Sequence, residues 1–213
     1  MPVEVKICGL TRPADASAAV AAGADWLGVV FASGPRVVTA GQAREIAWAA
    51  GRCPVLGVFG HQPADQIVAL CRDAGLAGAQ LHGNYTAQQA AEISAAGLVV
   101  WRVVRATTAA DLVELRHRWD VDGTLVEPRA AQLDGGSGVQ LDAELALAAR
   151  RALAGRRMIL AGGLTADTVA AAVGLVAPDV VDVSSGVESR PGIKDPSQIG
   201  RFVEAARGHR AVV

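Results

Sequence analysis

Two side chains that end apolar runs have the types needed for proton transfer. Cys8 ends the run Val3–Cys8, and Glu127 ends the run Gly123–Glu127. A thiolate accepts protons and a carboxyl group donates them, so the pair can act as a general base and a general acid. Each also has a structural interpretation, because a free cysteine often fills a core and a glutamate often caps a loop or a helix. Function therefore depends on whether the fold brings them together.

Two turns near the C-terminus have the composition of a phosphate site. Each directly follows a short apolar run, and they are Gly162-Gly163 and Ser184-Ser185-Gly186. Glycines let the backbone approach a ligand closely and aim amide N–H groups at an anion. Glycine turns also link strands to helices in proteins of every function, so the prediction rests on both occurring at matching positions.

Arg36 and His82 are further candidates for a site. Arg36 follows Gly34-Pro35, and its planar guanidinium suits a substrate carboxylate, although a loop arginine alone is usually a solvated surface charge. His82 ends the run Gly78–His82 and is either an acid–base group or a residue that orients its neighbours. We favour the orienting role for His82.

Short apolar runs alternate with alanine-rich stretches along the whole chain. The predicted strands are Val3–Cys8, Trp26–Phe31, Cys53–Phe59, Gly78–His82, Val99–Val104, Gly123–Glu127, Met158–Ala161 and Val180–Val183. The predicted helices are Pro13–Ala22, Ala40–Ala50, Pro63–Ala74, Ala87–Ala96, Ala109–Arg118, Asp142–Ala154, Ala166–Val176 and Pro196–Arg207. Continuous apolar strands are typical of parallel sheets covered on both faces.

Eight strand–helix units in 213 residues predict an α/β protein with a single (β/α)8 TIM barrel as one domain over residues 1–213. A doubly wound open sheet is the alternative, but it more usually has five or six strands and a glycine fingerprint after the first. In a barrel, residues that follow the strands meet at one mouth, which is where such enzymes bind substrates. All the candidate side chains above follow or end a strand.

The phase of the strands predicts an ion pair inside the barrel. Alternate residues of a strand share a face, so Lys6 points the same way as Cys8, and Asp182 the same way as Ser184. Strands one and eight are neighbours in a closed barrel, so Lys6 and Asp182 can pair. The pair either fixes the register or supports the site, and the Lys6 charge is expected to lower the pKa of Cys8.

Composition excludes several classes of partner. The net charge of -1 argues against a nucleic-acid or anionic-membrane partner. Three cysteines without CxxC spacing indicate neither a disulfide framework nor a zinc site, so Cys53 and Cys71 are expected to pack in the core. The chain starts with a charged strand rather than a signal peptide and has no apolar run of membrane-spanning length. We therefore expect a cytoplasmic protein.

Six motifs in order resemble the phosphoribosylanthranilate isomerase family of tryptophan biosynthesis, over nearly the whole chain. They are Lys6-Ile7-Cys8-Gly9, Pro35-Arg36, Gln80-Leu81-His82-Gly83, Gly135-Gly136-Ser137-Gly138, Leu160-Ala161-Gly162-Gly163-Leu164, and Val181-Asp182-Val183-Ser184-Ser185-Gly186-Val187-Glu188 continuing through Pro191-Gly192-Ile193-Lys194-Asp195. The resemblance implies a barrel that performs an Amadori rearrangement of N-(5-phosphoribosyl)anthranilate to 1-(2-carboxyphenylamino)-1-deoxyribulose phosphate, with no cofactor and no metal. It also implies that Cys8 is the base, that Arg36 binds the anthranilate carboxylate, and that the glycine and serine turns bind the phosphate.

Two positions depart from the family pattern. The family's general acid is an aspartate that ends strand six, and here Glu127 stands there with one more methylene; Asp134 is the nearest other carboxylate. The family's aromatic–aspartate–tryptophan run is replaced by Leu141-Asp142-Ala143. A placement error of about 1 Å costs about 100-fold in rate, so Glu127 decides whether the chain is catalytically competent.

Two other functions stay open at this level. One is a sister isomerase that acts on another phosphoribosyl amine or on a ribulose phosphate, although the histidine-pathway isomerases use an aspartate where Cys8 stands. The other is a phosphate-binding barrel that has lost catalysis through Glu127. In each case the partner is a small phosphorylated molecule, and the protein is a monomer or a homodimer.

Overall fold

The computed structural model describes residues 2–129 and 141–208, and these form a closed barrel of eight parallel strands in sequential order. The barrel strands are β1 (Glu4–Ile7), β2 (Trp26–Val30), β3 (Val55–Phe59), β4 (Gly78–Leu81), β5 (Val99–Ala106), β6 (Gly123–Pro128), β7 (Met158–Leu160) and β8 (Val180–Val183). The helices are α1 (Pro13–Ala21), α2 (Ala40–Ala50), α3 (Ala64–Ala74), α4 (Ala87–Ala95), α5 (Ala143–Ala152), α6 (Val169–Val176) and α7 (Pro196–Gly208). The predicted (β/α)8 barrel is confirmed, and the open sheet is not formed, because β1 pairs with both β2 and β8.

Apolar residues on both faces of the strands explain why the sheet closes. Inward-pointing residues of β3 and of β5 to β8 form a small packed layer inside the barrel around Trp101, which is fully buried with Leu56 and Leu125. The outward faces pack against the helices, as Val5 and Ile7 of β1 do. Burial of each large apolar side chain contributes about 1.5–3 kcal/mol, so the two layers together favour the closed form.

The connection between β5 and β6 differs from the prediction. The expected helix Ala109–Arg118 is wrong: the segment contains only a 3-10 helix, Asp111–Arg116. Asp111 Oδ2 accepts hydrogen bonds from the backbone N–H groups of Thr107 and Thr108, at 2.8 and 2.9 Å. This local turn competes with a regular α-helix for the backbone and shortens the element.

The start of α6 is also later than predicted. The helix begins at Val169 rather than Ala166, because Thr168 Oγ1 accepts a hydrogen bond from the Thr165 N–H and closes a turn first. Other element ends differ from the prediction by one or two residues.

A two-stranded antiparallel hairpin after β8 was not predicted from the sequence. It consists of β9 (Glu188–Arg190) and β10 (Ile193–Lys194), and it follows a 3-10 turn, Ser185–Val187. The hairpin turns the chain back toward the barrel mouth before α7 begins.

Two features singled out in the sequence, Asp134 and the run Gly135-Gly136-Ser137-Gly138, lie outside the described residues. Within the described part of the chain, no helix combines the length and the apolar character needed to cross a membrane.

Candidate active site

A cavity of about 150 Å³ opens at the mouth of the barrel. The predicted site residues that line it are Cys8, Arg36, His82, Glu127, Gly162, Gly163, Asp182, Ser184, Ser185 and Gly186. Lys6 is the remaining one, and it lies fully buried beneath this lining. The fold thus collects residues from six strand ends, spread over most of the sequence, around one space.

The predicted ion pair forms inside the barrel. Lys6 Nζ lies 2.9 Å from Asp182 Oδ1, and the two residues are cross-strand partners of β1 and β8. Burial of Lys6 disfavours its charge, but the contact with the Asp182 carboxylate opposes this and the Lys6 pKa is raised, so the ammonium stays charged. The pair therefore places a fixed positive charge directly beside Cys8.

The Lys6 charge lowers the Cys8 pKa as predicted, but the overall shift of the Cys8 pKa is upward. Burial raises the pKa of the Cys8 thiol, and although Lys6 and Lys194 lower it, they do not reverse the shift. The reason is that Cys8 is only 7% exposed, so removing water from the thiolate costs more than the nearby cations return. Cys8 is consequently a thiol in the ligand-free protein.

Glu127 is well suited to hold a proton. Burial raises its pKa, and Arg105, which donates from Nε to Glu127 Oε1 at 3.0 Å, opposes the shift without reversing it. A carboxyl group with a raised pKa keeps its proton nearer to neutral pH and can donate it. At this position in the barrel, Glu127 therefore has the character of an acid.

His82 lies next to Glu127 and is neutral. Its Nε2 is 3.5 Å from Glu127 Oε1, and burial, assisted by Arg105 and Lys6, lowers its pKa to about 3. A histidine that takes up a proton only near pH 3 is a poor acid–base catalyst at neutral pH. The geometry agrees with the orienting role favoured from the sequence.

Arg36 is not a solvated surface charge. It is 9% exposed, and its Nε and Nη2 donate to the two carboxylate oxygens of Glu188, both at 2.8 Å. Lys194 Nζ contacts the same carboxylate at 2.8 Å and also donates to the Ser184 carbonyl at 3.0 Å. Burial would raise the Glu188 pKa, but the hydrogen bonds from Arg36 and Lys194 outweigh it and lower the pKa.

The network Arg36–Glu188–Lys194 thus joins the carboxylate-binding candidate to the second glycine–serine turn. Sequence reasoning missed Glu188 and Lys194 as site residues, although both stand in the last motif. Their spacing of six residues gave no sign that a hairpin would return Lys194 to Glu188.

Each of the two turns contains a glycine at a position where a side chain does not fit. Gly162 has φ +98° and a Cβ there would lie 2.2 Å from Pro128 Cδ, while a Cβ on Gly186 would lie 2.0 Å from the Leu164 carbonyl oxygen. Both turns therefore approach neighbouring backbone or ring atoms too closely for a side chain. Both turns line the cavity, and the turns after strands seven and eight are the usual phosphate-binding elements of this barrel class.

Nothing in the described residues indicates a metal centre, since no three His, Cys, Asp or Glu side chains there are grouped closely enough to hold an ion. The site therefore combines two candidates for proton transfer, Cys8 and Glu127, with the guanidinium of Arg36 and two glycine-containing turns.

Comparison with known proteins gives a consistent picture. The family model for N-(5′-phosphoribosyl)anthranilate isomerase matches residues 5–205. An N-(5′-phosphoribosyl)anthranilate isomerase of Magnetococcus marinus is 42% identical over 211 residues, covering 97% of this chain and 96% of the relative.

Solved structures agree. The phosphoribosyl anthranilate isomerase from Thermotoga maritima has a TM-score of 0.89 at 32% identity, covering 97% of this chain and 99% of the other. A phosphoribosyl anthranilate isomerase in complex with reduced 1-(o-carboxyphenylamino)-1-deoxyribulose 5-phosphate has a TM-score of 0.85 at 30% identity, with the same coverage.

Proposed function

Because the chain belongs to the N-(5′-phosphoribosyl)anthranilate isomerase family, we propose that Cys8 and Glu127 are the general base and the general acid of its reaction. The chain is an isomerase of tryptophan biosynthesis. What the proposal adds is the assignment of the chemical steps to particular atoms of this chain.

The rearrangement needs two proton transfers at different places on the sugar. Glu127 donates a proton to the ribose ring oxygen as the bond between that oxygen and C1 breaks, which gives a Schiff base between C1 and the anthranilate nitrogen. Cys8 acts in the fraction of the protein in which it has lost its thiol proton to solvent; this thiolate removes the proton from C2 of the protonated Schiff base and leaves an enamine with a hydroxyl on C2. As the enamine becomes the 2-ketone, C1 gains a proton and the 2-hydroxyl loses one. Proton exchange with water then returns Cys8 and Glu127 to their starting states, so the reaction is a net isomerisation and needs no oxidant.

The surroundings of each group support its role. The raised pKa of Glu127 favours its protonated form, and Glu127 lines the same cavity as Arg36 and both turns. Cys8 has Lys6 beside it and Lys194 within electrostatic range, and both stabilise a thiolate when it forms. General acid–base pairs typically contribute about 10²- to 10⁴-fold each to the rate.

Substrate binding is proposed to use the remaining residues of the cavity. Arg36, whose orientation is fixed by Glu188, receives the anthranilate carboxylate, and a guanidinium held in this way loses little entropy on binding. The phosphate is held by the turns, which are Gly162-Gly163 and Ser184-Ser185-Gly186. Lys6, His82 and Asp182 support the catalytic pair.

The observation that carries the proposal is the shared cavity. Cys8 at the end of β1 and Glu127 at the end of β6 line the same space as Arg36 and both turns. Residues that are 119 positions apart in the sequence meet only because the barrel closes.

A fluorescence assay on freshly generated phosphoribosylanthranilate tests the roles. Cys8→Ser and Glu127→Gln should each lower kcat by at least about 100-fold, the scale for removal of an acid–base group. Cys53→Ser is the matched thiol control, since Cys53 lies outside the cavity, and Glu45→Gln on the exposed face of α2 is the matched carboxyl control. Full activity of Glu127→Gln would assign the acid role to another group. If the wild-type protein is inactive but still binds a reduced product analogue, the result would favour the alternative of a phosphate-binding barrel that has lost catalysis.

The remaining features of the proposal concern the whole chain. Residues 1–213 are taken as one domain, because barrel elements run from Glu4 to Gly208. The protein is proposed to act in the cytoplasm on a small phosphorylated substrate, as a monomer or a homodimer. A Thermotoga maritima relative is described as dimeric, and sedimentation of this chain distinguishes the two states.

A further inference from the structure

Arg105 is the charged residue in closest contact with Glu127. The two are cross-strand partners of β5 and β6, so their side chains leave the sheet on the same face. Arg105 Nε donates to Glu127 Oε1 at 3.0 Å, and Arg105 Nη2 donates to the His82 carbonyl oxygen at 2.6 Å. The guanidinium is thus fixed at two points, one of which is backbone.

Arg105 reaches Glu127 from outside the catalytic cavity. Among the described residues, the lining of that cavity includes Glu127 and His82 but not Arg105. Arg105 instead lines a neighbouring cavity of about 510 Å³ beside β4 and β5. It therefore contacts Glu127 without lining the space that the substrate is proposed to occupy.

The contact distinguishes the two oxygens of Glu127. Oε1 is held by Arg105 and lies 3.5 Å from His82 Nε2, whereas no described residue donates to Oε2. A guanidinium carries only donors, so the oxygen that it holds remains an acceptor. When Glu127 is protonated, the proton therefore resides on Oε2.

A glutamate also has one more side-chain torsion to fix than an aspartate, and its loss of freedom must be offset by contacts. We infer that Arg105 is the positioning residue that fixes the Glu127 side chain and directs its acidic oxygen, Oε2, into the catalytic cavity. This role rests on the proposed function of Glu127 as general acid. It concerns orientation and proton affinity, and Arg105 itself does not touch the substrate.

Several charged or titratable groups face Glu127 from the packed strands. They are Arg105 on β5, His82 after β4, Asp182 on β8, Lys6 on β1 and, across the cavity, Cys8. His82 is neutral at neutral pH, and the charges of Lys6 and Asp182 act in opposite directions on Glu127. Removal of the Arg105 charge is thus expected to make Glu127 hold its proton to higher pH.

The test compares pH–rate profiles of the intact protein and four variants: Arg105→Met, Arg105→Lys, Glu127→Gln, and the double variant of Arg105→Met with Glu127→Gln. Arg105→Met should lower kcat by about 10- to 100-fold, because misplacement of a catalytic group by about 1 Å costs about 100-fold. Its acidic limb, which follows the lower of the two pKa values and therefore reports Glu127, should move to higher pH, and KM should stay near the wild-type value. Arg105→Lys keeps the positive charge but lacks the planar, two-donor guanidinium. Compared with Arg105→Met, it should therefore bring the limb of the pH–rate profile close to its wild-type position but recover less of kcat.

The double variant separates this inference from the proposed function. If Arg105 acts through Glu127, Arg105→Met should cause no further loss of kcat in the Glu127→Gln background. An unshifted acidic limb in Arg105→Met, or multiplicative losses in the double variant, would overturn the positioning role while leaving Glu127 as the acid. An active Glu127→Gln variant would instead refute the acid assignment. Arg44→Met, which removes an exposed arginine paired with Asp73, controls for the general loss of an ion pair, and urea unfolding confirms that each variant is folded.

Discussion

Substitution of Gly28 by alanine should displace the Cys8 thiol, the proposed general base, from outside the cavity lining. Gly28 lies on β2 beside the end of β1, and a Cβ there would be 2.8 Å from Cys8 Sγ and 3.0 Å from Lys6 Nζ. Non-bonded heavy atoms rest at about 3.5–4.0 Å, so Sγ must move by about 1 Å. A displacement of about 1 Å at a reacting group costs about 100-fold, which is the expected fall in kcat.

Backbone strain does not contribute to the expected fall in kcat. The φ angle of Gly28 is not in the left-handed region, so alanine adopts it without strain. Gly28 is also absent from the cavity lining, so KM should change by less than about threefold, a difference of under 1 kcal/mol in binding. Overpacking should cost about 1–3 kcal/mol of unfolding free energy, which leaves the protein folded. Steady-state fluorescence kinetics and urea unfolding measure the three quantities.

Gly41→Ala is the matched control, since a Cβ at Gly41 would meet only Thr39 Oγ1, at 3.9 Å. It should have wild-type kinetics. A Gly28→Ala protein that is folded and has wild-type kcat would refute the reasoning, because it would show that Cys8 tolerates a displacement of about 1 Å or that its position does not matter to the reaction.

Three further predictions concern the ion pair, the second turn and the histidine. Lys6→Met should lower the free energy of unfolding in urea by about 3–5 kcal/mol, because it leaves the Asp182 carboxylate buried without its partner. A loss below about 1 kcal/mol would mean that the Lys6–Asp182 pair behaves like an exposed ion pair. Gly186→Ala should raise KM at least about 10-fold, because the added Cβ forces the turn away from the Leu164 carbonyl oxygen. The turn then loses a hydrogen bond to the substrate phosphate, which is worth about 1.5–3 kcal/mol. An unchanged KM would mean that the phosphate binds elsewhere. His82 has a pKa of about 3 in the folded protein against 6.5 ordinarily, so the unfolded chain binds the extra proton between these values and the unfolding free energy should fall as pH falls from 6.5 toward 3. That slope should be smaller in His82→Gln, and an identical slope would show that His82 does not titrate in this way.

Much of the site could be predicted from strand phase and turn composition. Alternation along β1 placed Lys6 with Cys8, and barrel closure then put Asp182 of β8 within reach of Lys6, as the 2.9 Å contact confirms. The location of the glycine–serine turns at one mouth followed from the parallel strands. These inferences succeed because period-two alternation and strand order are fixed by short-range geometry and by the count of elements.

The failures involve contacts that depend on long-range burial or on local side-chain hydrogen bonds. The predicted helix before β6 is a short 3-10 turn because Asp111 binds the backbone of Thr107 and Thr108. The pKa of Cys8 is raised although a lysine lies beside it, because burial removes water from the thiolate. The sequence shows the neighbouring charge but not how much water burial removes.

The sequence by itself determined the barrel, the identities of the proton-transfer candidates and the edge of the sheet at which they meet. Only the tertiary structure decided how they are held: Glu188 and Lys194 return through a hairpin to fix Arg36, and Arg105 holds Glu127 from a neighbouring cavity. The physical reason is that residue type and alternation are properties of short segments. Hydrogen-bond partners and desolvation are properties of groups brought together from distant parts of the chain.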